Sequence, residues 1–175
     1  MLNWLNPFKW WHLFQQQRQW KKTNRQFIHS YHQGDFTTAT ELAVLMVDIA
    51  HTSGNKTRLL DGYYHLMLCH RQTQSIEEAI DCGKRVLELQ IALAGTDDVR
   101  IPARMLDLAG LYRQVGEFEP AAQLYHQALT HQRRIDGGKV SVKAVGILES
   151  LLAIYVAQQA FMWRDRLFMA HFDAP

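Results

Sequence analysis

Histidine and cysteine are the residue types in this chain that could bind a metal ion. His29 and His32 lie three residues apart, and Cys69, His70 and Cys82 fall on the two helices of one predicted hairpin. Structural zinc sites use four ligands of these types at short spacings, but no fourth ligand recurs at such a spacing here. We therefore interpret Cys69, His70 and Cys82 as core residues and predict no metal and no cofactor.

Catalytic motifs are also missing from the sequence. It contains no glycine-rich phosphate loop, no serine elbow and no paired-cysteine metal motif. His65, His126 and His131 lie on predicted helices without a carboxylate pattern that would indicate a general base. We predict that the protein is not an enzyme.

Composition indicates a folded, helical protein. The 175 residues are 47% hydrophobic and 21% charged, with a formal net charge of +2. This near-neutral charge disfavours a long phosphate track, although a helical-repeat nucleic-acid binder stays as an alternative. Ala, Leu, Gln and Glu dominate the periodic segments, which favours an all-α fold. No apolar run approaches the ~20 residues of a membrane span, and two cysteines suit a reduced, cytoplasmic protein.

The stretch from Pro102 to Gln132 is the clearest structural unit. Apolar residues recur at helical spacing on each side of Gly116, which predicts two amphipathic helices joined by a tight turn. Helices joined so tightly must lie antiparallel.

This unit repeats along the chain. Steps of 40, 42 and 43 residues bring similar apolar residues into register and predict four hairpins, at residues 20–52, 56–93, 99–134 and 139–172. In the last of these, Leu148, Leu151 and Leu152 take the places of Met105, Leu108 and Ala109, and Phe161, Phe168 and Phe172 those of the second helix.

The central unit resembles the tetratricopeptide repeat family, in its long-helix variant found in kinesin light chains. The residues that carry the resemblance are Leu108, Ala109, Tyr112, Gly116, Phe118, Ala121, Tyr125 and Ala128. The resemblance implies a right-handed α-solenoid over residues 20–172 and a non-enzymatic adaptor that binds a protein partner. The second unit departs from the pattern, with Gln74 where a turn glycine is expected.

The first 19 residues form a predicted arm that is rich in aromatic residues and basic. It contains Trp4, Phe8, Trp10, Trp11 and Phe14. Five Lys or Arg residues and no carboxylate occur before Asp35. One interpretation is a helix that caps the repeats or docks a second partner. The alternative is a peripheral membrane contact at the cytoplasmic face, which would make the protein a membrane-recruited assembly factor.

The resemblance also implies a concave groove lined by the first helix of each pair. The groove residues carried over from the family are Lys21, Arg25, Tyr31, His32, Tyr64, His65, Arg71, Gln72, Asp107, Arg113, Gln114 and Glu149. Because Arg71-Gln72 and Arg113-Gln114 are equivalent pairs, we predict a partner peptide or helix with acidic residues. The alternative is that these arginines are ordinary solvent-facing helix formers. The last helix, with Trp163, Phe168, Met169 and Phe172, is predicted to support self-association.

Overall fold

The computed structural model describes the backbone of residues 7–172 and the side chains of residue 11 and residues 14–160. Seven helices make up this part of the chain: α1 (Pro7–His32), α2 (Phe36–Ser53), α3 (Lys56–Gln72), α4 (Ile76–Ala94), α5 (Ile101–Gln114), α6 (Phe118–Ile135) and α7 (Val142–Phe172). Residues 7–172 contain no strand. The predicted all-α helical repeat fold is therefore confirmed.

The helices divide into two compact units, Met1–Leu93 and Ala94–Pro175. In the first unit, α2 packs against both α1 and α3. In the second unit, α6 packs in the same way against both α5 and α7. Each of these second helices thus lies against its own partner helix and the first helix of the next pair, as expected for stacked hairpins.

The three turns between paired helices share one backbone conformation. Gly34, Gln74 and Gly116 stand at corresponding positions with φ values of +78°, +61° and +80°. Each turn is closed by the same type of backbone hydrogen bond, from the amide of one residue to the carbonyl five residues earlier: Asp35 to Ser30, Ser75 to His70 and Glu117 to Tyr112. This is the C-terminal capping arrangement for which glycine is usually selected, and Gln74 adopts it without being glycine.

Close helix packing forms the core of the first unit. Phe27, Ala39, Met46, Leu66 and Cys69 are among the buried residues of one cluster that draws on α1, α2 and α3. Gly62 of α3 lies against α2 so closely that an added Cβ would meet Val47 Cγ2 at 2.9 Å. Small residues on facing helices permit this approach.

The prediction of a fourth hairpin at residues 139–172 is wrong. Val142–Phe172 is one continuous helix of 31 residues. The residue that corresponds to Gly116 is Gln159, and no glycine or proline occurs between Ile147 and Phe172. Without a residue that favours positive φ, the helix continues through the expected turn.

The N-terminal arm is not separate from the first hairpin. Helix α1 runs without a break from Pro7 to His32, across the boundary predicted at residues 19 and 20. Pro7 is the first residue of the helix. Proline is tolerated there because the first amides of a helix have no intrahelical acceptor, so the missing N–H costs no hydrogen bond. Among the described residues, no helix combines the length and apolar character that crossing a bilayer requires.

Candidate functional site

Helices α1 and α3 lie side by side in the first unit. His65 Nε2 lies 3.2 Å from Asn24 Oδ1, and Gln72 Nε2 donates to the Tyr31 hydroxyl oxygen at 3.3 Å. Both pairs are 41 residues apart in sequence, and they lie seven residues apart along each helix. The two helices are therefore parallel and in register over about two turns.

The surface between these helices is the candidate site, and we call it the α1–α3 face. It consists of Lys21, Asn24, Arg25, Ile28 and Tyr31 of α1 with His65, Leu68, Arg71 and Gln72 of α3. Ile28, which is exposed, and Leu68, which is half-buried, fall between the two polar pairs along their helices. The face therefore offers apolar contact between hydrogen-bonding side chains.

His65 is the most strongly perturbed group on this face. Its ring stacks on Phe27 with the ring centres 4.0 Å apart, and burial lowers the pKa of His65 to about 4. Because Asn24 Oδ1 is an acceptor, the proton of the neutral ring lies on Nε2. His65 Nδ1 is buried and has no hydrogen-bond partner among the described residues. His65 is thus neutral at physiological pH and supplies no positive charge to a ligand.

Positive charge comes instead from lysine and arginine. Lys21 and Arg25 are exposed and Arg71 is half-buried, and none of the three forms an ion pair with a described residue. Four other arginines do have carboxylate partners: Arg85, Arg100, Arg104 and Arg134. The cations of the α1–α3 face therefore keep their capacity to bind an external anion.

In this unit the first helices of the hairpins, α1 and α3, are mainly basic, whereas the second helices, α2 and α4, are mainly acidic. Helix α1 contains three lysines and two arginines and no carboxylate, and α3 contains three cations and only Asp61. Helix α2 has two carboxylates and no lysine or arginine. The two cations of α4, Lys84 and Arg85, are paired with Asp81 and Glu88 of the same helix. The first helices are therefore the basic side of the unit.

The other predicted groove residues occupy different settings. His32 is exposed on α1 and Tyr64 is half-buried on α3. The remaining four residues belong to the second unit. Asp107 is half-buried and pairs with Arg104 at 3.5 Å, whereas Arg113, Gln114 and Glu149 are exposed. That these four residues bind a partner stays a prediction.

The arm residues lie at the N-terminal end of α1. Trp4 lies outside the described residues, as do the side chains of Phe8 and Trp10. Trp11 and Phe14 are 63% and 52% exposed, and the Arg18 guanidinium lies 5.8 Å from the centre of the Phe14 ring. Trp20 is the first aromatic residue of the described chain that packs against the core cluster. The helix before Trp20 thus presents aromatic residues to solvent.

Sequence reasoning missed the contacts that join α1 to α3. Asn24 and Phe27 both contact His65, and the Arg58 guanidinium lies 5.4 Å from the centre of the Trp20 ring. The signal was present in the sequence, because Asn24 and His65 are separated by about one repeat. His65 was predicted to face a ligand, whereas much of its ring is covered by Phe27 of the neighbouring helix.

Neither cysteine has the lowered pKa of a reactive thiol. Burial raises the pKa of Cys69. Burial, followed by the charges of Asp81 and Glu78, raises the pKa of Cys82 to about 11. Both thiols are free, and within the described part of the chain no cluster of three or more His, Cys, Asp or Glu residues is arranged to hold a metal ion.

Comparison with known proteins identifies the repeats. Residues 58–134 match the family model of the tetratricopeptide repeat. The chain is similar to the crystal structure of kinesin light chain TPR-like repeats from Podosopora anserina, with a TM-score of 0.64 and 18% identity over 82% of this chain and 66% of that one. A variant of the same repeats gives a TM-score of 0.64 and 17% identity over 90% and 76% of the two chains.

A third similar structure is BtubC (BKLC) from P. vanneervenii. The TM-score is 0.54 and the identity 16%, over 82% of this chain and 66% of that one. The chain thus spans about two thirds of the length of two of these proteins. No curated protein sequence matches it. The family match over residues 58–134, the paired helices and the repeated turn agree that this part of the chain consists of tetratricopeptide repeats.

Proposed function

We propose that this protein is a non-enzymatic, cytoplasmic scaffold that binds an acidic segment of a protein partner on the α1–α3 face. Tetratricopeptide repeats generally mediate protein–protein interaction, which supports the broader part of the proposal. The proposal of an acidic segment rests on Lys21, Arg25 and Arg71, which form no ion pair with a described residue, and on helices α1 and α3, which together contain one carboxylate, Asp61.

The chemistry of the face fits an extended or helical acidic peptide. Arg25 and Arg71 can each donate two parallel hydrogen bonds to a carboxylate. Ile28 and Leu68 supply apolar contact between the polar pairs. Because His65 stays neutral, the positive charge that holds the peptide comes from the guanidinium groups, and binding should weaken as the salt concentration rises.

A peptide titration tests this proposal. A labelled glutamate-rich peptide and its glutamine counterpart are titrated with the full chain at low and physiological salt, and fluorescence anisotropy is measured. The double variant Arg25→Gln, Arg71→Gln should bind the acidic peptide about tenfold more weakly, since each partly exposed ion pair contributes up to ~1 kcal/mol.

Arg133→Gln is the matched control. Arg133 is also exposed and also has no ion pair with a described residue, but it lies on α6 of the second unit. The proposal requires that this variant binds the acidic peptide as the wild type does. Equal affinity for the glutamine peptide, or an equal loss in the control variant, would refute it.

The extended α1 helix favours a second candidate, recruitment to an anionic membrane surface. The thirteen residues before Trp20 cover about 20 Å of helix. Trp11, Phe14, Arg18, Lys22 and Arg25 follow one another at spacings of three and four, so they share one helical face. Aromatic rings and cations on one face of a helix are typical of interfacial membrane binding.

Vesicle sedimentation tests this candidate. Vesicles of phosphatidylcholine with and without phosphatidylserine are incubated with the full chain, with a chain that lacks residues 1–19, and with Trp11→Ala, Phe14→Ala. The second candidate predicts binding only to the anionic vesicles and its loss in both variants. Val140→Ala, which removes an exposed apolar residue from a loop, is the control and should bind normally.

A further inference from the structure

Four cations of helix α1 form a cluster on one side of the helix. We call Arg18, Lys21, Lys22 and Arg25 the basic cluster. Their spacing of three and four residues places them within about 100° of the helix circumference and about 10 Å of its length. No other eight-residue stretch of the sequence contains four Lys or Arg residues. The positive charge of the chain is therefore most concentrated in this cluster.

The basic cluster has no negative partner in the described part of the chain. All four residues are exposed, and none of them forms an ion pair with a described residue. The Arg18 guanidinium lies 5.8 Å from the centre of the Phe14 ring, a contact that leaves its charge uncompensated. Like charges at spacings of three and four residues destabilise a helix. A bound anion would therefore relieve repulsion within the cluster as well as form new ion pairs.

The basic cluster borders an open cavity of about 680 Å³. The described residues that line this cavity are the four cations, Gln15 and Gln19. Its volume is within the range of roughly 300–1,000 Å³ that is usual for small-molecule sites. All six lining side chains can donate hydrogen bonds, and none of them is a carboxylate. The cavity therefore suits a small anion that accepts many hydrogen bonds.

The density of charge favours phosphate over carboxylate as the ligand group. A carboxylate carries one negative charge, so four of them would have to lie within about 10 Å to neutralise the basic cluster. A phosphate monoester carries about −1.5 to −2 charges at pH 7 and three acceptor oxygens, so two such groups match four cations. Arginine binds phosphate with two parallel hydrogen bonds, and lysine binds it as a point charge. The basic cluster contains two residues of each kind.

We propose that the basic cluster binds a small anion with two or more phosphate monoester groups, such as a phosphorylated inositol. This site goes beyond the acidic-peptide function, because only Lys21 and Arg25 also belong to the α1–α3 face. It goes beyond general attraction to an anionic membrane, because it requires phosphate groups rather than negative lipid charge alone. The same phosphate groups occur on a lipid headgroup and on a soluble compound, and the two sources are separated by experiment.

Calorimetric titration of the full chain with inositol trisphosphate tests the proposal in solution. The double variant Arg18→Gln, Lys22→Gln removes half of the basic cluster but no residue of the α1–α3 face. It should bind inositol trisphosphate about tenfold more weakly than the wild type, because two exposed ion pairs are lost. The same variant should bind the acidic peptide normally, so a failure of the phosphate site is distinguishable from a failure of the peptide site.

Lys139→Gln, Lys143→Gln is the matched control. These two lysines are also exposed, lie four residues apart and form no ion pair with a described residue, but they belong to the second unit. The control variant should bind inositol trisphosphate as the wild type does.

Vesicle sedimentation identifies the source of the phosphate groups. Phosphatidylcholine vesicles that contain phosphatidylinositol bisphosphate are compared with vesicles in which phosphatidylserine supplies the same total charge. A lipid ligand predicts binding to the bisphosphate vesicles that is at least about tenfold tighter, with this preference lost in Arg18→Gln, Lys22→Gln. A soluble ligand predicts binding of inositol trisphosphate without a preference between the two kinds of vesicle.

Three results would overturn the phosphate site. The first is that the wild type neither binds inositol trisphosphate nor prefers the bisphosphate vesicles, which would leave only a general attraction to negative charge. The second is that Arg18→Gln, Lys22→Gln binds as the wild type does. The third is an equal loss of binding in the control variant. Binding of either phosphate probe that depends on Arg18 and Lys22 supports the site.

Discussion

Replacing Gln74 by glycine should stabilise the protein. Gln74 is the only non-glycine residue among those described that has positive φ, at +61°. Its counterparts in the other two hairpin turns are Gly34 and Gly116, with the same backbone hydrogen bonds. A side chain at this position contributes strain, because Cβ crowds the following carbonyl group in the left-handed conformation.

The size of the effect follows from two opposing terms. A left-handed conformation costs an L-residue about 1–2 kcal/mol. Glycine removes this cost but adds about 0.5–1 kcal/mol of backbone entropy to the unfolded chain. The net gain for Gln74→Gly should be about 0.5–1 kcal/mol, which corresponds to a rise of about 1–4 °C in Tm for a protein of this size.

Urea denaturation followed by circular dichroism measures this gain. The matched variant is Gly116→Ala, at the equivalent turn, where an added Cβ would have no heavy atom within 4 Å. Its effect must come from the backbone alone, and it should lower the free energy of unfolding by about 1 kcal/mol. If Gly116→Ala lowers the free energy of unfolding while Gln74→Gly leaves it unchanged or also lowers it, the strain assigned to Gln74 is wrong.

Three further changes test the packing and the buried groups. Gly62→Ala should destabilise by about 1–3 kcal/mol in urea denaturation because its Cβ would meet Val47 at 2.9 Å, whereas Gly110→Ala, with open space, should stabilise by about 0.5–1 kcal/mol. Because His65 has a lowered pKa of about 4, the stability it contributes is complete above pH 6.5 and is lost as the pH falls towards 4. This loss in the free energy of unfolding should be up to about 3 kcal/mol. Unfolding curves of His65→Phe over the same pH range should not show it. With its pKa raised to about 11, Cys82 should react slowly with Ellman's reagent at pH 8 in the native protein and quickly in urea.

Much of the fold could be predicted from the sequence because the hairpin is a local structure. Apolar spacing locates the helices, and glycine marks the turns at Gly34 and Gly116. Gln74 stands where a turn glycine was expected, yet this turn has the same geometry as the other two. Thr73 and Ser75 supply hydroxyl groups there, so the local sequence compensates for the missing glycine.

The fourth hairpin could not be predicted correctly from periodicity alone. Phe161 and Phe168 have the spacing of a second helix, and that spacing is the same whether the chain turns back or continues. What differs is the hinge at residues 157–160, where nothing opposes helix propagation. Apolar periodicity shows which residues must be buried, and the residues at the turn decide which segment can pack against them.

The site was harder to predict because it depends on contacts between helices that lie a repeat apart. Lys21, Arg25 and Arg71 were predicted to line a groove. In the structure, none of them has an ion-pair partner among the described residues. His65, in contrast, is held between Asn24 and Phe27. Its role as a neutral packing residue follows from the neighbouring helix, and this cannot be read from α3 alone.

The two longest helices are the places where the chain departs from its own repeat. Helix α1 begins thirteen residues before Trp20, and α7 continues past the expected hinge. Both expose apolar side chains to solvent, Trp11 and Phe14 in one and Leu148 and Leu152 in the other. Exposed apolar surface is retained in soluble proteins mainly where something binds. The regular hairpins therefore act as the framework, and specificity for partners should be sought first on these two helices and on the basic α1–α3 face.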